Sequence, residues 1–406
     1  MKRDLLKIVA CFILMIYLSE NFVTAQNGKT VIQDSTSIQQ KDIVDVLQDN
    51  FKIHLRADST IQKGNGPYFS LMPVVGYSLQ SGLTGALVSN TSFYTDSNKS
   101  RFSDVLLNAY YSQYHQYWVI ANSNIFFDKI KLHLLGDTRY YNFPTQTYGL
   151  GNSTTLADVL SIDYSYLRVY QIVLHEIKKN VFAGIGYNLD YHWNIENNSL
   201  PGKALDEFNK LEKGTQSTSS GVTLNMVFDD RKNPVNPEQG SFVNLQYRSN
   251  LTLLGSDKNW QSLIVEARHY LNFPASSHNV LALWTYNNFT LKGTPPYLDL
   301  PSIGWDDYSN TGRGYVPGRY TGRNLVYMES EYRFGITRNG LLGGVVFGNA
   351  ESILRNISSN VHTVIPGGGF GLRIKVNKYS NTNVAIDYGF GVGGSHGFFF
   401  NLGEVF

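Results

Sequence analysis

Histidine and cysteine are the residues most able to bind metals or act as nucleophiles, so their spacing is the first test of an enzymatic site. The nine histidines are scattered, and none forms an H-x-x-x-H or H-x-E pair that would bring two metal-site groups together. The only cysteine, Cys11, lies in an N-terminal stretch that we expect to be removed. The mature chain would then have no disulfide, thiolate metal site or cysteine nucleophile. We therefore predict no metal and no cofactor.

Other short motifs also favour a structural interpretation over catalysis. Gly393–Gly397 spells G-x-S-x-G, but a nucleophile elbow needs a helix after it, and strands are predicted on both sides here. Gly367–Gly369 lacks the Lys-Ser/Thr that completes a phosphate loop, so we interpret it as a strand kink. The adjacent acids Asp229-Asp230 and Asp306-Asp307 are better explained by solvation. The Ser/His pair that a barrel phospholipase needs cannot be recognised from sequence spacing. Because no other motif indicates catalysis, we predict that the protein is not an enzyme.

The composition is typical of a β-barrel in a membrane. Of the 406 residues, 16% are charged, against about 25% in soluble domains. Aromatic residues make up 14%, and there are 37 glycines. After residue 25, no apolar run approaches the ~18–20 residues that a membrane helix needs. Strands that are apolar on one face only would explain this combination. The formal charge of +2 gives no electrostatic argument for binding nucleic acid.

The N-terminus predicts export. Lys2-Arg3 and Lys7 precede an apolar core at Ile8–Leu18, and Val23–Ala25 resembles a signal-peptidase site. We expect a signal peptide at 1–25, the alternative being an uncleaved anchor. Residues 26–65 would form a periplasmic segment too short for an ordinary binding domain. Apolar residues at helical spacing predict a short helix at 41–51, either at the mouth of a barrel or in a tail.

From residue 66 to 406 the chain alternates apolar and polar residues as barrel strands do. Val181–Asn194 is the clearest case, with an apolar face ending in aromatic residues and a polar or small opposite face. We predict a transmembrane antiparallel β-barrel of about 16 strands. The segments are approximately 67–78, 79–96, 101–114, 115–128, 129–142, 161–177, 179–195, 215–230, 240–254, 258–274, 278–292, 322–338, 339–350, 362–377, 381–394 and 396–406. Long connections at 143–160, 196–214 and 293–321 would be extracellular, and the tight turns periplasmic.

Two stretches interrupt the alternation. The first runs from Asp229 to Gly240 and contains two prolines and a final glycine, which predicts a rigid turn. The second, Trp305–Thr321, is Gly-rich, polar and aromatic. The strand after it carries Glu329 and Glu331 on its predicted inner face, where a carboxylate could meet an arginine with two hydrogen bonds.

Three motifs in order resemble the BamA/TamA family of outer-membrane assembly factors, also called bacterial surface antigens. The first is a D-x-R-x-N-P-x-x-P-x-x-G turn made of Asp229, Arg231, Asn233, Pro234, Pro237 and Gly240. The second is an R-G-Y loop followed by an E-Y-R-F strand, and the third is the final F-N-L-G-E-V-F. The resemblance covers about residues 65–406 and implies a bacterial outer-membrane location.

The resemblance also implies a role for the loop at 293–321. In the family this loop folds into the barrel, and its arginine pairs with acids on the next two strands. Arg313, followed by Gly314 and Tyr315, would be that arginine, with Glu331 as one partner. The family's F-x-D pattern is here Phe347-Gly348-Asn349, so Asn349 keeps an acceptor without the charge, and Gly312 replaces an apolar residue. The alternative occupants are Arg319 and Arg323.

The last strand resembles the signal by which barrels are recognised for insertion. Phe398, Phe400, Leu402, Gly403 and Phe406 carry it, with the three phenylalanines and Leu402 in alternation. In the family, the first and last strands form a seam that opens toward lipid. The glycines before this strand either suit such a seam or permit barrel curvature.

The resemblance implies a non-enzymatic barrel that assists insertion or translocation of outer-membrane proteins or lipids as part of a complex. We expect none of the family's periplasmic POTRA domains, because the segment predicted before the barrel is too short to hold one. Expected partners are outer-membrane lipids, lipopolysaccharide and other assembly components or barrels, with no nucleic acid or small-molecule substrate. The alternative is a passive channel or structural barrel subunit.

Overall fold

In the computed structural model, most of the chain is one antiparallel sheet that curves into a barrel. The structure describes residues 40–51, 67–78, 81–95, 103–197, 201–307, 309–354, 363–378 and 381–406. The predicted signal peptide lies outside these residues. Within them, no helix has the length and apolar character needed to cross a membrane.

In the described part of the chain, the sheet contains sixteen long strands and one short one. Their bounds are β1 (Tyr68–Ser78), β2 (Gly82–Phe93), β3 (Ser103–Ser112), β4 (Tyr117–Phe127), β5 (Leu132–Asn142), β6 (Thr145–Thr147), β7 (Leu160–Lys178), β8 (Val181–Asn197), β9 (Gln216–Asp229), β10 (Gly240–Asn250), β11 (Trp260–Asn272), β12 (Val280–Lys292), β13 (Asn324–Gly335), β14 (Leu342–Leu354), β15 (Ile365–Asn377), β16 (Thr382–Gly391) and β17 (His396–Leu402). The predicted barrel of about 16 strands is confirmed.

Among the described residues, two α-helices and five 3-10 helices lie outside the strands. The α-helices are α1 (Ile43–Phe51) and α2 (Lys203–Leu211). The 3-10 turns are Asp128–Ile130, Leu156–Asp158, Thr252–Leu254, Tyr297–Asp299 and Val392–Gly394.

Each long strand pairs antiparallel with the next, as in an up-and-down meander. The long connections after β5, β8 and β12 lie at one end of the barrel, which we call the loop rim; the opposite end is the turn rim. β1 and β17 lie beside each other. Within the described residues no paired register joins these two strands. The barrel is therefore nearly closed, with a seam between its first and last strands.

Side chains alternate between an apolar outer surface and a polar lumen. On β8, Ile185 is 66% exposed on the outside, whereas Asp190 is 3% exposed on the inside. The same contrast separates Met328 from Glu331 on β13. A strand between lipid and an aqueous lumen requires this two-residue period, which explains why the sequence pattern locates the strands.

Two elements at the loop rim were not predicted. β6 pairs with the start of β7, and α2 lies in a connection predicted as loop. α2 buries Ala204 and Phe208, and the Phe208 ring meets Tyr297 edge to face at 5.0 Å. Helices this short are marginal alone, so packing against the loop after β12 stabilises α2 more than its own sequence does.

The helix α1 lies at the turn rim. The Lys41 amide donates to the Asn339 carbonyl at 3.0 Å, and Lys378 Nζ pairs with Asp45 at 2.8 Å. These contacts place α1 against the turns after β13 and β15.

Candidate functional site in the barrel lumen

The connection between β12 and β13, residues 293–323, folds into the lumen and is held in shape by its own hydrogen bonds. Three backbone hydrogen bonds close it, from Ile303 N–H to Tyr320 O at 3.2 Å, from Gly318 N–H to Ile303 O at 2.9 Å and from Gly322 N–H to Pro301 O at 3.0 Å. At the tip, the Asp306 carboxylate accepts from the Thr311 amide at 2.8 Å and the Thr311 hydroxyl at 2.6 Å. Aspartate commonly organises turns in this way. The loop therefore presents its tip in a fixed shape.

Arg313 lies in the lumen against the wall formed by β13, β14 and β16 and is 1% exposed. Its guanidinium contacts Glu331 at 2.5 Å, Asp387 at 2.6 Å, and Glu329. The face of the Phe347 ring lies 3.7 Å away. A guanidinium presents five donors in a planar fork, so it can serve several carboxylates at once. The resemblance placed Arg313 opposite Glu331; Asp387, on β16, was not anticipated.

A wider network surrounds this contact. Arg333 pairs with Glu331 at 2.6 Å, and Arg373 pairs with Asp387 at 2.5 Å and Glu404 at 2.7 Å. Buried charges are costly unless they are paired and hydrogen-bonded, and these groups share partners on β13, β15, β16 and the end of the chain. The network thus ties the loop to the wall next to the seam.

Asn349 plays a different part from the one expected. The resemblance gave it an acceptor in the position of a second acid. In the structure its Nδ2 donates to the Arg313 carbonyl at 2.9 Å, so it holds the loop backbone. Glu329 and Asp387 supply the further negative charges beside Glu331 instead. The sequence signal for Asp387 is its place on the inner face of an alternating strand, which does not specify what it contacts.

Glycines on the loop and on β16 allow the two to approach closely. Gly314 has a φ of +115°, and a Cβ there would lie 2.6 Å from the Phe390 carbonyl oxygen. A Cβ on Gly391 would lie 2.4 Å from the Tyr315 ring. These glycines therefore make room for the loop. This explanation for them differs from the two considered from the sequence, a flexible seam and barrel curvature.

Tyr315 fixes the loop to the wall through its hydroxyl group. The hydroxyl donates to the Pro366 carbonyl at 2.6 Å and accepts from the Val392 amide at 2.8 Å. Burial raises the pKa of Tyr315 to about 12, so it remains a neutral donor. The alternative arginines lie elsewhere: Arg319 contacts Thr154, and Arg323 donates to the Gly293 carbonyl.

The loop also contacts the opposite wall. Arg168 Nη1 pairs with the Asp307 carboxylate at 2.9 Å, and Arg139 Nη2 donates to the Asp307 carbonyl at 2.8 Å. Arg139 lies on β5 and Arg168 on β7. With Arg313 held on β13 and β16, the loop spans the lumen from wall to wall.

The end of the chain departs from the predicted alternation. Phe398, Phe400 and Leu402 face outward as expected, but Phe406 is 2% exposed inside the lumen. The strand stops at Leu402, and Gly403 takes a φ of +95°. Left-handed backbone at this glycine turns the chain inward. Residues 403–406, called the tail below, are therefore luminal, and Phe406 does not share the outward face.

The predicted rigid turn at the end of β9 reaches the tail. Arg231 binds the Asp229 carboxylate with both Nε, at 2.9 Å, and Nη2, at 2.8 Å. The Asn233 side chain accepts from the Val235 amide at 3.0 Å, and Gly240 has a φ of +104°. Pro234 and Pro237 have no amide donor, so they cannot extend a strand ladder.

Cross-barrel contacts extend from this turn. The Val235 carbonyl accepts from the Glu404 amide at 3.1 Å, and Asn236 Nδ2 donates to the Asn381 carbonyl at 3.0 Å. The turn motif and the tail together cross the lumen at the turn rim.

Comparison with solved structures shows similar barrels. The BamA of Haemophilus ducreyi lacking POTRA domains 1–3 matches with a TM-score of 0.55 and 15% identity, over 83% of this chain and 70% of that one. CdiB from Acinetobacter baumannii matches with a TM-score of 0.53 and 12% identity, over 84% and 60%. CdiB from Escherichia coli matches with a TM-score of 0.56 and 9% identity, over 83% and 62%. The chain thus spans less than two thirds of either CdiB chain.

No family model and no curated protein sequence matches the chain. The structural likenesses at 9% to 15% identity bear on the fold. As the motifs predicted, the chain has the 16-stranded antiparallel barrel fold found in BamA and CdiB.

Proposed function

We propose that this protein is a non-enzymatic outer-membrane barrel of the BamA/TamA superfamily that assists insertion or translocation of outer-membrane proteins or lipids, together with other outer-membrane components. The observation that carries the proposal is the seam, where β1 and β17 lie side by side without a paired register among the described residues. Strand edges present free amide and carbonyl groups that can pair with an incoming strand. The seam therefore offers a client strand a template that opens toward lipid.

The outer surface supports a membrane setting for this activity. Leu87, Leu107, Leu224 and Phe370 are all more than half exposed on the outer face. Such an apolar band would contact outer-membrane lipids and lipopolysaccharide. A client strand that left the seam would enter the same environment.

A disulfide staple tests the seam. Cysteine pairs would be scanned along β1 and β17 in a background with Cys11→Ser, which removes the only native cysteine. Closing the seam should abolish assembly of a client barrel in proteoliposomes, and reduction should restore it. A control staple between Val74 and Ala86, which are already paired on β1 and β2, should leave activity intact. Full activity with the seam closed would refute lateral opening.

A further inference from the structure

The tail occupies a luminal site with a cationic part and an aromatic part. In the cationic part, Glu404 lies 2.7 Å from Arg373 Nε and 3.5 Å from Arg333 Nε. In the aromatic part, the Phe406 ring stacks on Trp284 at 5.1 Å and tilts toward Tyr270 at 6.3 Å. Arg333 also lies 5.5 Å from the Phe406 ring centroid, within cation–π range.

Three further contacts involve only the backbone of residues 404–406. The Glu404 amide donates to the Val235 carbonyl at 3.1 Å. Asn310 Nδ2 donates to the Val405 carbonyl at 2.6 Å, and Arg333 Nη2 donates to the Phe406 carbonyl at 2.9 Å. Any extended segment supplies such backbone groups. The selective contacts are therefore the carboxylate and the aromatic ring, two residues apart, as on one face of a strand.

Apart from one backbone hydrogen bond to β16, from the Gly403 amide to the Asn383 carbonyl at 2.7 Å, the tail can leave this site without unpairing the sheet. The β16–β17 register ends at the Val384↔Leu402 pair, before the tail begins. Gly403 follows directly with a left-handed backbone, so a change at one residue redirects the tail. Departure of the tail would expose the two arginines and the aromatic rings while the strands stay paired.

We propose that this site binds a peptide segment carrying a carboxylate and, two residues further on, an aromatic ring, and that the tail fills it until a client segment takes its place. The inference rests on the proposed function, since the client strand at the seam would displace β17 and its tail. Arg333 and Arg373 also pair with Glu331 and Asp387, and they favour a carboxylate over a neutral group because a hydrogen bond between two charged groups is stronger than one to a neutral acceptor. The rings on β11 and β12 select an aromatic group over an aliphatic one.

A tethered tail should compete strongly with a free peptide. Short flexible tethers give effective concentrations of about millimolar. A peptide with an intrinsic Kd of about ten micromolar should then bind the intact barrel about a hundredfold more weakly than a barrel without the tail.

The test uses a fluorescent, amidated peptide with the sequence of residues 401–406 and fluorescence anisotropy in detergent. It should bind a barrel ending at Leu402 and bind the full chain about a hundredfold more weakly. Peptides with Glu replaced by Gln or Phe by Ala, at the places of Glu404 and Phe406, should lose binding to the shortened barrel. Equal binding to both barrels, or unchanged binding of the Ala peptide, would overturn the inference.

A second variant guards against misfolding of the shortened barrel, which heat-modifiable migration in electrophoresis would reveal. The full-length Phe406→Ala variant keeps the tail backbone and empties the aromatic part, so it should bind the peptide more tightly than the native chain. Absence of peptide binding to this folded variant and to the shortened barrel would refute the site. If that peptide-binding site were refuted but the seam staple still abolished client assembly, the proposed function would stand without the site. If instead the peptide bound and the stapled barrel stayed active, the site would stand and lateral opening would be refuted.

Discussion

Replacing Arg313 with methionine should destabilise the barrel mainly through one of its three acidic partners. After the change, Glu331 keeps Arg333 at 2.6 Å, and Asp387 keeps Arg373 at 2.5 Å. Glu329 keeps only the Tyr327 hydroxyl among the contacts described for it. Glu329 would thus become the unpaired buried charge.

Removing one partner of a buried ion pair typically costs about 3–5 kcal/mol, because the other charge is left uncompensated. We expect Arg313→Met to lower the free energy of unfolding by about that amount. Adding Glu329→Gln removes the orphaned charge and keeps a group that Tyr327 can bond. The double variant should therefore recover more than half of the loss, although it contains one more substitution.

Guanidinium unfolding followed by tryptophan fluorescence, with the midpoints compared at constant slope, measures these differences. Glu331→Gln is the matched comparison, because every arginine it contacts keeps another carboxylate: Arg313 keeps Asp387, and Arg333 and Arg373 keep Glu404. It should cost less than Arg313→Met. The reasoning is refuted if the double variant is no more stable than Arg313→Met, or if Glu331→Gln is the more damaging single change.

Two further predictions concern the seating of the loop and the loop rim. A Cβ on Gly389 would lie 2.7 Å from the Gly314 nitrogen, so Gly389→Ala should destabilise the barrel by about 1–3 kcal/mol and let trypsin cut the loop. Gly348→Ala is the control, because a Cβ there would have no neighbour closer than 3.9 Å, and it should do neither. Burial raises the pKa of Glu212, which follows α2, so between the unfolded and folded pKa values the folded form holds a proton that the unfolded form has lost. Stability should therefore fall as the pH rises through the raised pKa. Hydrogen exchange of α2, corrected for intrinsic rates, should show protection that decreases as the pH is raised from acidic to alkaline values, and Glu212→Gln should reduce the decrease.

The strands could be predicted from sequence because lipid and lumen impose a two-residue period on every one of them. β6 was missed because an element of three residues carries little periodic signal, and α2 was missed because its stability depends on contacts distant in sequence. The inward position of Asp387 could be predicted, but not that a loop 74 residues away would reach it.

The inward position of Phe406 could have been predicted from the sequence. Continued alternation would place Glu404 on the same outer face as Phe398 and Phe400. A charged residue on the lipid face is destabilising, more so toward the bilayer midplane. The strand must therefore end before Glu404, as it does at Leu402. What the sequence could not supply is the location of the arginines, on β13 and β15, that draw Glu404 inward.

The two ends of the loop tip should contribute unequally to closing the lumen. The Asp307 side chain is 55% exposed, so its pair with Arg168 is worth about 0.2–1 kcal/mol, whereas the Arg313 contacts are buried. In planar bilayers, Asp307→Asn alone should leave a low, flickering conductance nearly unchanged, and Arg313→Met should raise it.

Combining the two changes should bring the conductance closer to that of a barrel lacking Gly304–Thr321, because neither wall would then hold the tip through a salt bridge. If Asp307→Asn alone opened the barrel as far as the deletion does, the ranking of the two contacts would be wrong. A large, steady pore in the unaltered protein would favour the passive channel, since a loop tied to both walls and a tail beneath it should obstruct the passage of ions.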